Sequence, residues 1–348
     1  MEVLLRAAAL ASALGDVDAA LERLEGEPLA LPYYAIPVPG EDWLARAGTI
    51  ARSVAASLRQ KAALSENEWA AMPCLVGSSS HDIGALEDRQ HPVLDPPAAF
   101  ARRLADWFGV RGPAMSVSTA CTSGLSALGI AADLVAAGRC RHALVLGVEL
   151  ANRLTVSGFA GLELLSPHAA RPCDRRRDGL ALGEALAALV VSTSGTWRIA
   201  ALSSVLDPSG LAAPAPNEAV IAGSMREALS RAGWQAAEVD VLKLQAGGSL
   251  SADLAEGRAV RDVFGTPPRS VSFKGAIGHT LGASGPAELA LLMGTLHNGR
   301  VPPTWGFSLA DDAVGLDPRA GEVSAKRVLF NLAGFGGHVA ALALERNP

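Results

Sequence analysis

Cysteines, aromatic residues and charged residues are all scarce in this chain of 348 residues. Charged residues make up 19% of it and hydrophobic residues 49%, which excludes a disordered chain and allows one large or two closely packed domains. The net charge of −5 argues against nucleic acid as a main partner. The four cysteines are widely spaced and form no CxxC pair, so we expect reduced thiols in the cytoplasm rather than a disulfide framework.

Two apolar runs are predicted to belong to the folded chain and not to a leader or a membrane span. The N-terminal run begins with Glu2 and is interrupted by Arg6, unlike a signal peptide, so we interpret it as a strand and a helix. The uncharged run from Gly112 to Ala132 is long enough to cross a membrane, but it is rich in Gly, Ser and Thr. It therefore predicts a buried strand, a turn and a helix.

Short apolar runs alternate with helical patterns, which predicts a layered α/β fold. Strands are predicted at Ala143–Leu150, Ala185–Val191, Val239–Gln245, Ser270–Phe273, Arg327–Leu332 and Val339–Leu344, and helices at Thr122–Ala137, Glu218–Ala232, Leu254–Val263 and Ala283–His297. Each half of the chain has a strand, a turn of small residues, a helix and further strands. The pattern predicts two similar domains, residues 1–192 and 193–348.

A cysteine lies in a turn of small residues within VSTACTSGLSALGIAADLVAAG. Cys121 follows an apolar strand and precedes a long helix. A thiol at the start of a helix feels the positive end of the helix dipole, which favours the thiolate. The alternative is a buried structural cysteine at a tight turn. The ordered context favours a nucleophile.

Two further glycine-rich turns carry candidate groups. In KGAIGHTLGASG, His279 can bind a substrate carbonyl or transfer a proton, with Lys274 nearby; the alternative is a histidine that caps the following helix. In FNLAGFGGHVAALAL, the turn Gly334-Phe335-Gly336-Gly337 can offer a backbone N–H to an oxyanion; the alternative is a plain β-hairpin.

A fourth segment, RPCDRRRDGLALGEALAALVV, carries Glu184 into an apolar strand. A carboxylate buried there needs a partner, and Lys274 is the candidate. The run Arg175-Arg176-Arg177 is interpreted as a solvated loop, with contact to an acidic carrier as the alternative.

These four segments, in this order, resemble those of the β-ketoacyl-acyl-carrier-protein synthases over nearly the whole chain. The resemblance implies a thiolase-like fold of two similar halves in five layers, α-β-α-β-α. The N-terminal half would carry the nucleophile, and the C-terminal half the histidine, the lysine and the oxyanion turn. By the same resemblance, no metal and no cofactor are needed.

The resemblance also implies roles for individual residues. Cys121 would take the acyl chain as a thioester, and His279 would assist decarboxylation of a malonyl extender and stabilise the enolate. Lys274 and Glu184 would form a supporting charged pair, and the backbone N–H of Phe335 would join that of Cys121 in an oxyanion hole. Further substrate contacts are expected from Gly334, Gly336, Thr119 and Thr280.

Two features depart from the family pattern. The family's His-Gly-Thr-Gly-Thr turn reads Gln245-Ala246-Gly247-Gly248-Ser249 here, and Asp253 and Glu256 keep the family's spacing after it. An amide can donate a hydrogen bond but carries neither a proton nor a charge. The chain is also short for the family, mostly before Cys121.

The favoured function is a decarboxylative Claisen condensation of a Cys121 acyl thioester with malonyl-carrier protein, in fatty acid or polyketide synthesis. One alternative is a non-elongating, chain-length-factor-like partner of an active synthase. Another is a Cys121-dependent acyltransferase or thioester hydrolase without decarboxylation. Expected partners are an acyl carrier protein and a second subunit, in a homodimer or a heterodimer.

Overall fold

A computed structural model describes residues 1–29, 31–40, 42–88, 96–208 and 217–347 of the chain. The strands up to residue 192 are β1 (Leu4–Ser12), β2 (Tyr33–Tyr34), β3 (Cys74–Gly77), β4 (Ala114–Val117), β5 (His142–Glu149), β6 (Leu182–Gly183) and β7 (Ala185–Ser192). The helices of this part are α1 (Val17–Leu24), α2 (Trp43–Ala62), α3 (Glu66–Ala71), α4 (Ile83–Glu87), α5 (Pro97–Trp107), α6 (Ser123–Ala136) and α7 (Arg153–Gly161).

The second part of the chain, within its described residues, has seven strands and four α-helices. Its strands are β8 (Trp197–Leu206), β9 (Val241–Lys243), β10 (Arg269–Val271), β11 (Arg300–Val301), β12 (Gly321–Glu322), β13 (Arg327–Ala333) and β14 (His338–Arg346). Its helices are α8 (Glu218–Ala232), α9 (Leu250–Phe264), α10 (Lys274–Ile277) and α11 (Ser284–His297). Short 3-10 turns lie at Ala236–Glu238, Leu281–Ala283 and Phe335–Gly337.

Ten of the strands are hydrogen-bonded in the order β10-β9-β13-β14-β8-β1-β7-β5-β3-β4. Read outward from the centre, both halves have the same pairing: two antiparallel contacts, then two parallel ones. The halves meet where β1 pairs with β8 at only two positions, Leu4 with Arg198 and Leu5 with Trp197. The predicted domain boundary falls directly after β7 and stays a prediction.

Three hydrophobic cores separate the elements into five layers. One core lies between one half of the sheet (β1, β7, β5, β3 and β4) and the outer helices α2, α3 and α5. A second core lies between the other half of the sheet, at β8, β14, β13 and β9, and the outer helices α8 and α9. The third surrounds α6 and α11, which pack between the two halves of the sheet. This is the expected α-β-α-β-α arrangement, and the predicted fold class is confirmed.

Glycines allow the two central helices to approach each other closely. A Cβ at Gly124 of α6 would overlap Pro286 of α11, and a Cβ at Gly77 of β3 would overlap the backbone of Ser123 and Gly124. Because the N-terminal ends of α6 and α11 meet here, the turns that precede these two helices lie side by side.

The predicted elements are all present, with ends shifted by up to four residues. The N-terminal run forms β1 and α1 as expected. The run from Gly112 to Ala132 forms a strand, turn and helix, but the strand is not buried as expected: β4 lies at an edge of the sheet, and Met115 is 49% exposed. No helix in the described parts of the chain is long and apolar enough to cross a membrane.

Candidate active site

Cys121 lies in the turn between β4 and α6. The turn is tight: Ala120 has a positive φ of 51°, and the Ser123 hydroxyl donates to the Ala120 carbonyl and accepts from the Thr119 N–H at 2.9 Å. The side chain of Cys121 is buried, and it faces an internal cavity. The structure therefore confirms the expected place of this thiol beside the start of a buried helix.

His279 lies in the loop between α10 and α11, directly against Cys121. Its backbone N–H donates to Ala181 O at 2.7 Å, which fixes the loop against the strand β6. The ring atom Nε2 is 3.1 Å from Cys121 Sγ, and Nδ1 is 3.2 Å from Ser284 Oγ. Thiol and imidazole thus form a hydrogen-bonded pair held by the two central helices.

Burial sets the protonation of this pair. It raises the pKa of the Cys121 thiol to about 11, against the smaller lowering effects of the Phe335 backbone N–H and the Lys274 charge. Burial, followed by the charges of Lys274 and Lys243, lowers the pKa of His279 well below its ordinary value. Burial therefore opposes the effect expected from the helix dipole, and it favours a neutral thiol beside a neutral imidazole.

The predicted pair of Lys274 and Glu184 is also wrong. Lys274 Nζ contacts Glu288 Oε1 of α11, and both side chains are buried. Glu184 lies elsewhere: it accepts from both Nη atoms of Arg46, at 2.6 and 2.5 Å, and from the backbone N–H groups of Ile36 and Ala151. The carboxylate therefore fastens the segment before α2 to β7, away from the thiol.

Gln245 stands in the cavity wall opposite the thiol. Its backbone N–H donates to Glu256 Oε1 at 2.6 Å, and the N–H of Ala246 donates to Oε2 at 2.7 Å. Asp253 accepts from the N–H groups of Gly247 and Gly248 and so fixes the rest of the turn. The side-chain Oε1 of Gln245 is buried and has no hydrogen-bond partner among the described residues. This oxygen is therefore available to accept a hydrogen bond from a bound group.

The turn after β13 closes the site. The Phe335 N–H is directed at Cys121 Sγ, and Gly334 packs so closely against Cys121 that a Cβ there would lie 3.1 Å from its backbone nitrogen. β13 and β14 also form the antiparallel hairpin that the plainer alternative predicted, and the turn between them faces the thiol. Gly336, with a φ of 77°, completes this turn.

The hydroxyls of Thr119 and Thr280 bond to the framework around the pair. Thr119 Oγ1 is 2.8 Å from Ser126 Oγ, and Thr280 Oγ1 is 3.3 Å from Ser284 Oγ. In the arginine run, Arg175 and Arg176 are exposed, but Arg177 is buried and paired with Asp311 at 2.5 Å. The expectation of a fully solvated run is therefore wrong for Arg177.

One small cavity brings the predicted groups together. Its volume is about 50 Å³, and its lining includes Cys121, Gln245, His279, Lys274 and Phe335. Apolar side chains complete the wall: Leu164, Leu180, Ile221 and Ala333. This volume accommodates a few water molecules, so an acyl chain requires movement of wall side chains.

Sequence reasoning missed two buried charges behind this wall, Glu288 and Lys243. Glu288 is the one carboxylate in the otherwise apolar helix SGPAELALLMGTLH, and Lys243 interrupts the apolar strand VLKL. A single charge within an apolar element implies a buried partner, and this signal was present in the sequence. The partner of each charge could not be identified from the sequence, because these ion pairs join residues of different elements.

Comparisons with known proteins agree on one family. The profile described as "Beta-ketoacyl synthase, N-terminal domain" matches residues 53–195, and the corresponding "C-terminal domain" profile matches residues 199–308. A 3-oxoacyl-[acyl-carrier-protein] synthase 2 of Mycobacterium bovis is 31% identical over 253 residues, 67% of this chain and 61% of that protein. A non-reducing polyketide synthase of Emericella nidulans is 30% identical over 313 residues, 78% of this chain and 13% of that protein.

Among solved structures, "The ishigamide ketosynthase/chain length factor" superposes with a TM-score of 0.87 at 25% identity, and the match covers 100% of this chain and 99% of that one. The two chains therefore share their fold over the whole matched length. The matched sequence spans less than two thirds of the mycobacterial relative and a small part of the fungal one.

Proposed function

Because this chain belongs to the β-ketoacyl synthase family, we propose that it transfers an acyl group from a carrier thioester to Cys121 and condenses it with a malonyl thioester. The observation that carries the proposal is the distance of 3.1 Å between Cys121 Sγ and His279 Nε2, inside a cavity closed by Phe335. A neutral imidazole beside a neutral thiol is the arrangement that general-base activation requires.

Acylation would begin with transfer of the Cys121 proton to His279 Nε2. The sulfur then attacks the thioester carbonyl, and the oxyanion accepts from the backbone N–H groups of Cys121 and Phe335. The carbon–sulfur bond to the carrier breaks, and the carrier thiolate takes the proton from His279. The product is an acyl thioester on Cys121 and a free carrier thiol.

Condensation would follow in the same cavity. The malonyl group loses its carboxylate as carbon dioxide, and the electron pair of the broken bond forms an enolate. The enolate oxygen accepts from the side-chain N–H of Gln245 and from His279, since both line the cavity. For this step the neutral His279 ring exchanges with solvent from the Nδ1–H tautomer, which serves as base in acylation, to the Nε2–H tautomer. The enolate carbon attacks the Cys121 thioester carbonyl and forms a carbon–carbon bond. The bond between that carbonyl and Cys121 Sγ breaks, and the cysteine thiolate takes a proton from solvent.

Gln245 favours a second candidate, acyl transfer without decarboxylation. An amide supplies a hydrogen bond but cannot carry the positive charge that imidazole brings to an anion. Loss of that charge weakens enolate stabilisation more than it weakens acylation, because acylation needs only the cysteine, the histidine and the oxyanion donors. In this case the chain would load or unload a carrier, or would serve an active synthase as a non-elongating partner.

The proposed partners follow from the chemistry. A carrier-bound acyl thioester and a carrier-bound malonyl thioester would enter as substrates, and a second subunit, identical or related, would complete the assembly. We place the protein in the reducing cytoplasm, because all four cysteines are free. Thr119, Thr280, Gly334 and Gly336 remain proposed substrate contacts.

Intact-mass measurement tests the proposal most directly. The protein is incubated with an acyl-carrier thioester and with malonyl-carrier, with Cys121→Ala as the matched control. Acyl mass on the unmodified protein and none on the control supports the enzyme. Release of carbon dioxide and a 3-oxoacyl product supports condensation, whereas acylation without carbon dioxide supports the second candidate. No acylation, with altered product length when an active synthase is added, refutes both in favour of a partner subunit.

A further inference from the structure

Two buried lysines share a single carboxylate behind the cavity wall. Lys274 Nζ contacts Glu288 Oε1, and Lys243 Nζ contacts Oε2 of the same side chain. All three side chains are at most 1% exposed. Lys243 Nζ also donates to the Asn331 carbonyl at 3.2 Å and lies 4.0 Å from the centre of the Phe330 ring. These contacts are suited to an ammonium group.

The formal charges of this cluster do not cancel by themselves, because two ammonium groups share the one carboxylate of Glu288. A second carboxylate, that of Glu256, also acts on Lys243; it accepts from the N–H groups of Gln245 and Ala246 and from Asn331 Nδ2 at 2.5 Å. Burial lowers the pKa of Lys243 to about 7, against the opposing effects of Glu288 and Glu256. Near neutral pH the charge of Lys243 therefore depends on the other charges around the site.

Lys243 lies directly behind the position of the glutamine. Lys243 ends β9 and precedes Gln245 by two residues, and the intervening Leu244 packs into the outer core. Lys243 and Gln245 therefore face the same, inner side of the chain. Lys274 reaches the cavity itself, and both lysine charges act on His279.

We propose that Lys243 is a positioning residue that supplies, from behind the wall, the positive charge that Gln245 cannot carry. Two consequences follow from the geometry. The charge keeps His279 neutral, so that its Nε2–H donates to an anion. It also leaves Lys274 less than fully neutralised by Glu288, which favours a negatively charged group in the cavity. The part of the proposal that concerns rate rests on the proposed condensation, in which that group is the malonyl carboxylate and then the enolate.

The groups that face the two titrating residues define the test. Those around Lys243 are Glu288 of α11, Lys274 of α10, and Glu256 of α9 through Asn331; those around His279 are Cys121, Ser284, Lys274 and Lys243. Lys243→Met removes one cation and leaves Glu288 paired with Lys274. Lys243→Gln removes the charge but keeps a donor, and serves if the Met variant does not fold.

The first measurement is the pH titration of His279 by NMR of ring-labelled protein, with its signal identified by loss in His279→Asn. We expect the midpoint to move to higher pH in Lys243→Met, because a neighbouring cation is gone. Lys326→Met, at an exposed lysine, should leave the midpoint unchanged. An unchanged His279 midpoint together with a lower melting temperature would overturn the proposal and make Lys243 purely structural.

The second measurement compares the rate of malonyl decarboxylation with the rate of Cys121 acylation. Lys243→Met should slow malonyl decarboxylation roughly tenfold, less than the ~100-fold or more that loss of a direct oxyanion donor causes, with little change in Cys121 acylation. Adding Gln245→His should recover much of this loss, because imidazole restores a group that can carry the charge. Equal losses in both steps, or no recovery, would overturn the proposal. If the unmodified protein releases no carbon dioxide, the proposed condensation fails, and the His279 titration alone decides the role of Lys243.

Discussion

Replacing Glu288 with glutamine should destabilise the protein more than any other single charge removal around the site. Glu288 is fully buried and is the shared partner of Lys243 and Lys274, so Glu288→Gln leaves two buried ammonium groups without their carboxylate. Breaking a buried ion pair by removing one partner typically costs about 3–5 kcal/mol. The loss of stability has an upper limit, because a lysine can give up its proton instead and a neutral amine can be buried without a counterion.

The expected change in melting temperature follows from the size of the chain. At about 2.1 cal/mol/K per residue, unfolding of 348 residues carries an entropy of roughly 0.7 kcal/mol/K. A loss of 3–5 kcal/mol then lowers the melting temperature by about 4–7 °C. Glu322→Gln, at an exposed carboxylate, is the matched control and should shift it by less than about 1 °C.

The pH dependence gives an independent check. Lys243 has a folded-state pKa below the ordinary lysine value of 10.5, so the unfolded chain binds more protons between the two values. Stability therefore rises as the pH rises from about 7 toward 10.5. Loss of Glu288 lowers the pKa of Lys243 further and makes this rise steeper near pH 7 in Glu288→Gln. Scanning calorimetry at pH 7 and pH 9 measures both effects, and a variant as stable as the unmodified protein at pH 7 would refute the shared pairing.

Three further outcomes follow from the site. Gln245→Ala should slow condensation by ~10²–10³ while acylation of Cys121 stays nearly intact, as followed by carbon dioxide release and intact mass; equal slowing of both would contradict the assigned donor. Alkylation of Cys121 by iodoacetamide should rise steadily from pH 7 toward pH 11, because burial raises its pKa to about 11, whereas a plateau reached by pH 7 would indicate a thiolate. Glu184→Gln should lower the free energy of unfolding by about 3–5 kcal/mol, because the largely buried Arg46 loses its carboxylate partner. Acylation of Cys121 per folded molecule should stay unchanged. A selective loss of acylation would show that Glu184 acts in the site after all.

The fold and the meeting of the reactive groups could be predicted, because both depend on local patterns in a fixed order. Small-residue turns before apolar helices located Cys121 and His279, and the turn with Asp253 and Glu256 located Gln245. The structure brings these turns together because the central helices α6 and α11 pack across glycines. Apart from this contact between α6 and α11, the prediction of the site required no knowledge of which distant segments pack together.

The electrostatic details could not be predicted, because they depend on distances between elements. Glu184 lies at the start of an apolar strand and needs a partner, and Lys274 was the candidate. Glu288 lies equally within an apolar helix, and it is this carboxylate that contacts Lys274. The thiolate was expected from the helix dipole alone. Burial of Cys121 is a property of the packed core, and its effect on the thiol is larger and opposite.

The glutamine at position 245 and the lysine at position 243 are best considered together. Because burial lowers the pKa of Lys243 to about 7, its charged fraction near neutral pH depends on the charges around it. On our proposal, an anionic group in the adjoining cavity raises that fraction, whereas a neutral acyl group on Cys121 does not. A charged fraction of Lys243 that rises when a malonyl thioester binds would therefore support condensation, and no rise would support simple acyl transfer.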